Sequence, residues 1–256
     1  MKTCFIIPVC TCFSLCCSAQ EKIDTDRPDQ TESAFTVPRG YFQAEFGFNK
    51  ENTSGRDYTL VHPTALLKYG LGKIELRLES TWSSEYEHVI PNPKWSRGLQ
   101  PVEIGFKAAL CEEKDFRPKI SIIMHTTIPF LSSGIYKDSL LTPSFRFCLQ
   151  HTTGERSALG INLGAEWDPH KKRPQWIYTI AQGFDLSEKW YAYIEAFGTI
   201  SKGYLPEHSL DAGLAYYINP DVKVDISAGK GISSVAPKSY VALGFSFRIT
   251  RLEKNK

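Results

Sequence analysis

The stretch from Tyr240 to Arg248, Y-V-A-L-G-F-S-F-R, alternates without a break. Val241, Leu243, Phe245 and Phe247 fall on one face, and Tyr240, Ala242, Gly244, Ser246 and Arg248 on the other. A period of two residues belongs to a strand, because successive side chains of an extended backbone point to opposite sides. The same stripe recurs near 41–49, 64–71, 73–82, 102–110, 119–128, 144–150, 158–167, 176–184, 190–197, 209–218 and 222–229, which makes twelve runs with the last one. Their links alternate in length: Gly70 to Lys73, Leu186 to Lys189 and Asn219 to Asp221 are tight, whereas 83–101, 130–143 and 199–208 are long. These features predict an all-β chain: a single up-and-down antiparallel transmembrane β-barrel of about 12 strands, closed by the final strand.

Alternation alone does not say which face meets water. Trp82, Trp167 and Trp176 fall at the long-link ends of their strands, and Tyr69, Trp190, Tyr216 and Phe247 at or near the tight-link ends. Two aromatic girdles suit two lipid–water interfaces. The polar face mixes glycine with charge, as a crowded lumen requires: Glu45, Glu75, Arg77, Glu79, Glu103, Lys107, Arg146, Glu166, Glu195, Asp211 and Asp225 are the expected lumen or selectivity residues. The apolar stripe therefore faces outer-membrane lipid. For the run 176–184 the register stays open, with either Gln182 or the pair Thr179 and Ala181 facing out.

The N-terminus is different in kind. Lys2, an uncharged run from Phe5 to Cys17 and Ser18-Ala19 read as a secretory signal over residues 1–19, cleaved after Ala19. A lipoprotein reading through Val9-Cys10-Thr11-Cys12 fits only loosely. The signal carries five of the seven cysteines, leaving Cys111 and Cys148, too few for a disulfide framework or a zinc site. Removing Lys2 lowers the net charge from +2 to about +1, so no strong field argues for nucleic acid. Beyond residue 20 no uncharged apolar run is long enough for a membrane helix.

Residues 20–39 form an irregular arm, 40–249 the barrel and 250–256 a short tail. The arm carries Asp24, Asp26, Arg27, Asp29 and Glu32 between Pro28 and Pro38. Its acids lack the glycine and distal glutamate of an EF-hand loop, so neither a metal nor a cofactor is expected. The arm either hangs on the periplasmic side or plugs the lumen. In the second case its acids match Arg77, Lys107 and Arg146, and Arg27 reaches a lumen carboxylate such as Glu45 or Glu75. His125, followed by two threonines, is a lumen histidine with no nucleophile motif beside it, so no catalytic residue is assigned.

The opening T-D-R-P-D-Q-T-E-S, then V-P-R-G-Y-F-Q-A-E-F-G-F, resembles the start of the outer-membrane barrel family named for the meta pathway of phenol degradation, in its Bacteroidetes-type branch. The resemblance continues through Leu66 to Leu71, Ile74 to Arg77, Leu163 to Trp167 and Tyr193 to Gly198. Where that family commonly has Pro-Thr-Gly, this chain has Pro129-Phe130-Leu131. The resemblance implies a Gram-negative outer-membrane channel or transporter, inserted by the barrel-assembly machinery, and the family's name alone implies a small apolar or aromatic cargo. A structural or adhesive barrel acting through its long loops is the alternative, with a lipid-modifying enzyme a distant third.

Overall fold

The computed structural model describes residues 22–137, 140–167 and 173–250; the signal peptide expected over residues 1–19, its expected cleavage site, and residues 251–256 of the tail lie outside the described residues. Its strands are β1 (Tyr41–Asn52), β2 (Tyr58–Gly70), β3 (Ile74–Glu87), β4 (Lys94–Leu99), β5 (Val102–Cys111), β6 (Lys119–Ile128) and β7 (Pro143–Gly154), followed by β8 (Ser157–Glu166), β9 (Gln175–Asp185), β10 (Trp190–Ile200), β11 (Glu207–Asn219), β12 (Val222–Gly231) and β13 (Ser239–Thr250). All thirteen join one antiparallel sheet. It closes where β1 pairs with β13, from Tyr41↔Thr250 to Asn52↔Ser239. With no free edge among the barrel strands, every wall strand has hydrogen-bonding partners on both sides.

The strand beyond the expected twelve is β4, which falls within the expected long link 83–101. Both β4 and β5 pair with β3, through Trp82↔Leu99 and Glu79↔Glu103, so β4 continues the line of β5 across Gln100-Pro101. Proline has no N–H to donate and interrupts the ladder there. Gln100 keeps the line in place by donating its N–H to Thr81 O at 2.8 Å. A similar interruption explains why β2 begins at Tyr58 rather than Thr64: the register shifts between Val61 and Thr64, around His62-Pro63, and hides the alternation. The β1–β2 and β3–β4 hairpins meet in a cluster of Tyr58, Tyr86 and Trp95, whose ring centroids lie 5.0–5.8 Å apart.

Burial shows which way the sheet faces. Leu76 is 48 % exposed and Leu214 43 %, whereas Glu75 and Lys107 are 0 % exposed. The apolar stripe is on the outside and the polar face is the core. On β9, Thr179 and Ala181 are buried and Ile180 and Phe184 exposed, so Gln182 faces outward with them. Gln182 spends its amide on backbone carbonyls of Ala158 and Gly183 and on Thr153, near the tight-turn rim. Outward-facing Trp190 and Tyr216 stack at 4.9 Å at that rim, and Phe247 lies 6.4 Å from Phe46. Tyr69 is half-exposed on the same outer face, while Trp82, Trp167 and Trp176 are exposed toward the long-loop side.

The lumen and the arm that fills it

All eleven expected lumen residues occupy inward positions, and the arm lies among them. It enters at the tight-turn end, where Ile23 donates its N–H to Pro220 O at 2.7 Å. Having no strand partner, it satisfies its backbone on wall side chains. Asp26 N–H reaches the Glu45 carboxylate at 3.0 Å, Gln30 N–H reaches Glu195 at 2.7 Å, Glu32 N–H reaches Asn162 Oδ1 at 2.6 Å and Val37 N–H reaches Glu75 at 2.8 Å. In return, Lys223 donates to Arg27 O at 2.7 Å and Asn162 Nδ2 to Glu32 O at 3.0 Å.

The arm's side chains are matched as closely. The Asp26 carboxylate takes Lys68 at 2.7 Å, Arg77 at 2.8 Å and Lys107 at 2.8 Å, and it also accepts Ser33 N–H at 3.0 Å. Burial alone would raise the Asp26 carboxyl, but Lys107, Lys68 and Arg77 outweigh it and hold the group well below its ordinary range. Glu32 pairs with Arg77 at 2.7 Å and Arg146 at 3.5 Å. Thr31 donates to Glu195 at 2.5 Å and bonds Thr179 at 2.6 Å. Asp24 meets the wall through its carbonyl, which accepts from Gln43 at 2.6 Å, and Asp29 and Lys223 both line a separate cavity of about 330 Å³ on the tight-turn side of the arm.

Arg27 reaches a lumen carboxylate, though not either of the two offered as examples. It pairs with Asp225 at 3.1 Å rather than with Glu45 or Glu75. Those two carboxylates are already engaged, Glu45 by Lys68 and Gln43 and Glu75 by Arg77. Gly47 and Gly244 face each other across β1 and β13, and a Cβ on either would run into the Arg27 side chain. These two glycines make the slot that directs Arg27 to Asp225. Asp211, four positions along the same strand pair, accepts hydrogen bonds from Tyr193 and Tyr240.

Above the arm a vestibule of about 470 Å³ opens toward the long loops. One side, from β3 to β8, is charged with Glu79, Arg77, Glu103, His125, Arg146 and Glu166; the other carries Val61, Leu66, Ala242, Tyr240 and Ile177. Glu79 and Glu103 are direct cross-strand neighbours. His125 accepts from Arg77 Nε at 3.0 Å and sits 3.5 Å from Glu103, so its two ring nitrogens face charged groups and no hydroxyl nucleophile. The loop after β6 leans over the opening: Tyr136 bonds Ser83 at 2.9 Å and Glu85 at 3.0 Å. Lys68, Lys223, Gln43 and Tyr193 are lumen residues that the sequence pattern did not single out, although each shares the inward parity of its strand.

The family model described as "Putative MetA-pathway of phenol degradation" matches residues 25–249, arm and barrel together. The chain belongs to this family. Among solved structures, an outer membrane channel from Pseudomonas putida F1 superposes with a TM-score of 0.67 at 9% identity, covering 88% of this chain and 100% of that one. The KdgM porin in complex with oligogalacturonate gives 0.54 at 8% identity over 80% and 98% of the two chains, and the CymD monoaromatic hydrocarbon channel 0.51 at 10% over 86% and 90%. These likenesses establish the fold of outer-membrane barrels. Comparison with curated protein sequences returned no match.

Proposed function

We propose that this family member is a passive outer-membrane channel for a small solute, gated by its own arm. The observation that carries the reading is a lumen lined with charge, filled at its tight-turn end by a segment that is not part of the sheet and open above it as the vestibule. Barrels of about eight strands are filled by wall side chains and those of about sixteen hold an aqueous channel. This barrel falls between, and the arm accounts for the difference. One vestibule side offers charge and the other apolar and aromatic surface, which suits an aromatic or amphipathic compound. The monoaromatic cargo named for CymD agrees with that, as an analogy of fold. Transport rather than catalysis also accords with His125, whose neighbours are Arg77 and Glu103. In this reading the periplasm lies at the tight-turn end, outer-membrane lipid covers the apolar stripe, and the barrel-assembly machinery inserts the chain.

The test is removal of residues 23–38 from the mature protein, followed by single-channel recording in planar bilayers. A higher conductance from a barrel that still migrates as a folded species on an unheated gel is the expected result. An unchanged conductance would show that the arm does not gate, and a barrel with no conductance in either form would favour the structural reading.

A further inference from the structure

On the β2 to β7 side of the lumen the wall carboxylates do not by themselves pair every wall cation. Lys68, Arg77, Lys107 and Arg146 project inward from β2, β3, β5 and β7, and the wall carboxylates that pair with them are Glu45, on Lys68, and Glu75, on Arg77 at 3.0 Å. The arm supplies the rest. Asp26 pairs with Lys68, Arg77 and Lys107, and Glu32 with Arg77 and Arg146. Lys107 is the sharpest case, since its side chain is 0 % exposed and its ion-pair partner is Asp26. A buried ammonium without a partner is strongly unfavourable, and the cross-strand neighbour Glu75 is already drawn to Arg77, so this point of the wall favours a further anion. Arg77 divides its fork between the two arm carboxylates, Nη1 to Asp26 at 2.8 Å and Nη2 to Glu32 at 2.7 Å, so both donors lose these partners when the arm is displaced and can turn to one incoming carboxylate.

This site is within reach of a solute, because Asp26, Glu32, Arg77 and Arg146 all border the vestibule. We propose that Arg77 and Arg146, with Lys107 buried behind Asp26, form a binding site for a small organic acid, and that Asp26 and Glu32 of the arm occupy it as built-in stand-ins for the ligand's carboxylate. The surroundings narrow the ligand class. Glu79, Glu103 and Glu166 line the same vestibule toward the long loops, and Glu79 stands one inward step from Arg77, about 7 Å along the strand. A bare anion is repelled by that layer. An acid with a hydroxyl at its far end donates to it, and Leu66, Val61 and Ile177 offer apolar surface for an aromatic ring between the two ends. The inference rests on the channel reading for the ligand's way in and out.

Calorimetric titration of the full mature chain in detergent tests the site apart from transport, with 4-hydroxybenzoate as probe and 4-hydroxybenzyl alcohol as its uncharged counterpart. Replacing the stand-ins together, Asp26→Asn with Glu32→Gln, should tighten 4-hydroxybenzoate binding by about tenfold or more, the scale of one charge-assisted hydrogen bond, and leave the alcohol unchanged. Adding Arg146→Gln to that pair should remove most of the gain. Should the double variant fail the unheated-gel test for folding, Glu32→Gln alone, at the more exposed position, carries the same comparison. No gain for the acid, or an equal gain for the alcohol, overturns the proposal, the latter because it reports space rather than charge. Swelling of liposomes in a neutral sugar reports the channel separately. A barrel that stays closed in that assay even with residues 23–38 removed sinks the transport reading while the calorimetry on the full chain still decides the site.

Discussion

Replacing Asp26 by Asn removes the charge on which the arm is most heavily tied. The carboxylate meets Lys68, Arg77 and Lys107 at 2.7–2.8 Å, with the side chain of Asp26 only 5% exposed. Lys68 and Arg77 keep Glu45 and Glu75, so the loss falls chiefly on Lys107. Stranding one buried charge costs about 3–5 kcal/mol, and the amide oxygen of Asn, by still accepting one hydrogen bond, returns about 1 kcal/mol of that. A net destabilisation of about 2–4 kcal/mol follows from these two magnitudes. Urea titration of the reconstituted protein, followed by tryptophan fluorescence, measures it. A shift below about 0.5 kcal/mol, the range of ordinary surface substitutions, would refute the reasoning by showing that water already solvates the cations. The sign with pH is fixed as well. Because the folded carboxyl lies well below its ordinary value of 3.8, its contribution is complete above that value and fades as the pH falls below it toward the depressed folded pKa. The Asn variant should show a correspondingly flatter acid limb.

The same logic predicts that Lys107→Met, added to Asp26→Asn, recovers part of the lost stability, because it removes the stranded cation; a double-mutant cycle with no coupling would contradict the pairing at 2.8 Å. On the outer surface, arginine at Leu76, Ile122 or Leu214 should cost about 2–4 kcal/mol near the bilayer midplane, read as slower and less complete folding into vesicles. Unimpaired folding of all these variants would mean that the lipid face has been misassigned. Gly47→Leu should push Arg27 out of its slot and break the contact to Asp225 at 3.1 Å, loosening the arm while the barrel stays closed. Protease cleavage within the arm at the wild-type rate would count against it.

What the sequence made legible is what local periodicity controls. The alternation of Tyr240–Arg248 is a property of neighbours in the chain, and each inward or outward assignment follows from parity once one face is known. The failures lie where parity is interrupted or where partners come from far away. Pro101 and His62-Pro63 break the stripe, so β4 and the upper half of β2 were read as loop. Arg27 was given Glu45 or Glu75 on charge alone, since nothing local reveals that Gly47 and Gly244 open a slot toward Asp225. The register of β9 was ambiguous for a related reason: Gln182 is polar yet faces outward, its amide engaged near the rim by Thr153 and backbone carbonyls.

The arm's acids and the inward cations of β2, β3, β5 and β7 form one feature divided between two parts of the chain. A membrane barrel reverses the usual arrangement, with apolar residues outside and the polar ones packed within, so its core must be held by charge and hydrogen bonds. Polar packing of this kind is stable only when every member has a partner. At this circumference the wall side chains do not reach across the lumen, and the strands alone cannot satisfy the inward cations. A separate segment has to supply carboxylates and backbone donors at the right heights, as Asp26, Gln30, Glu32 and Val37 do. The same requirement makes the arm replaceable. It is held by contacts that a solute bearing a carboxylate can reproduce, whereas the wall strands are held by sheet hydrogen bonds that a solute does not replace.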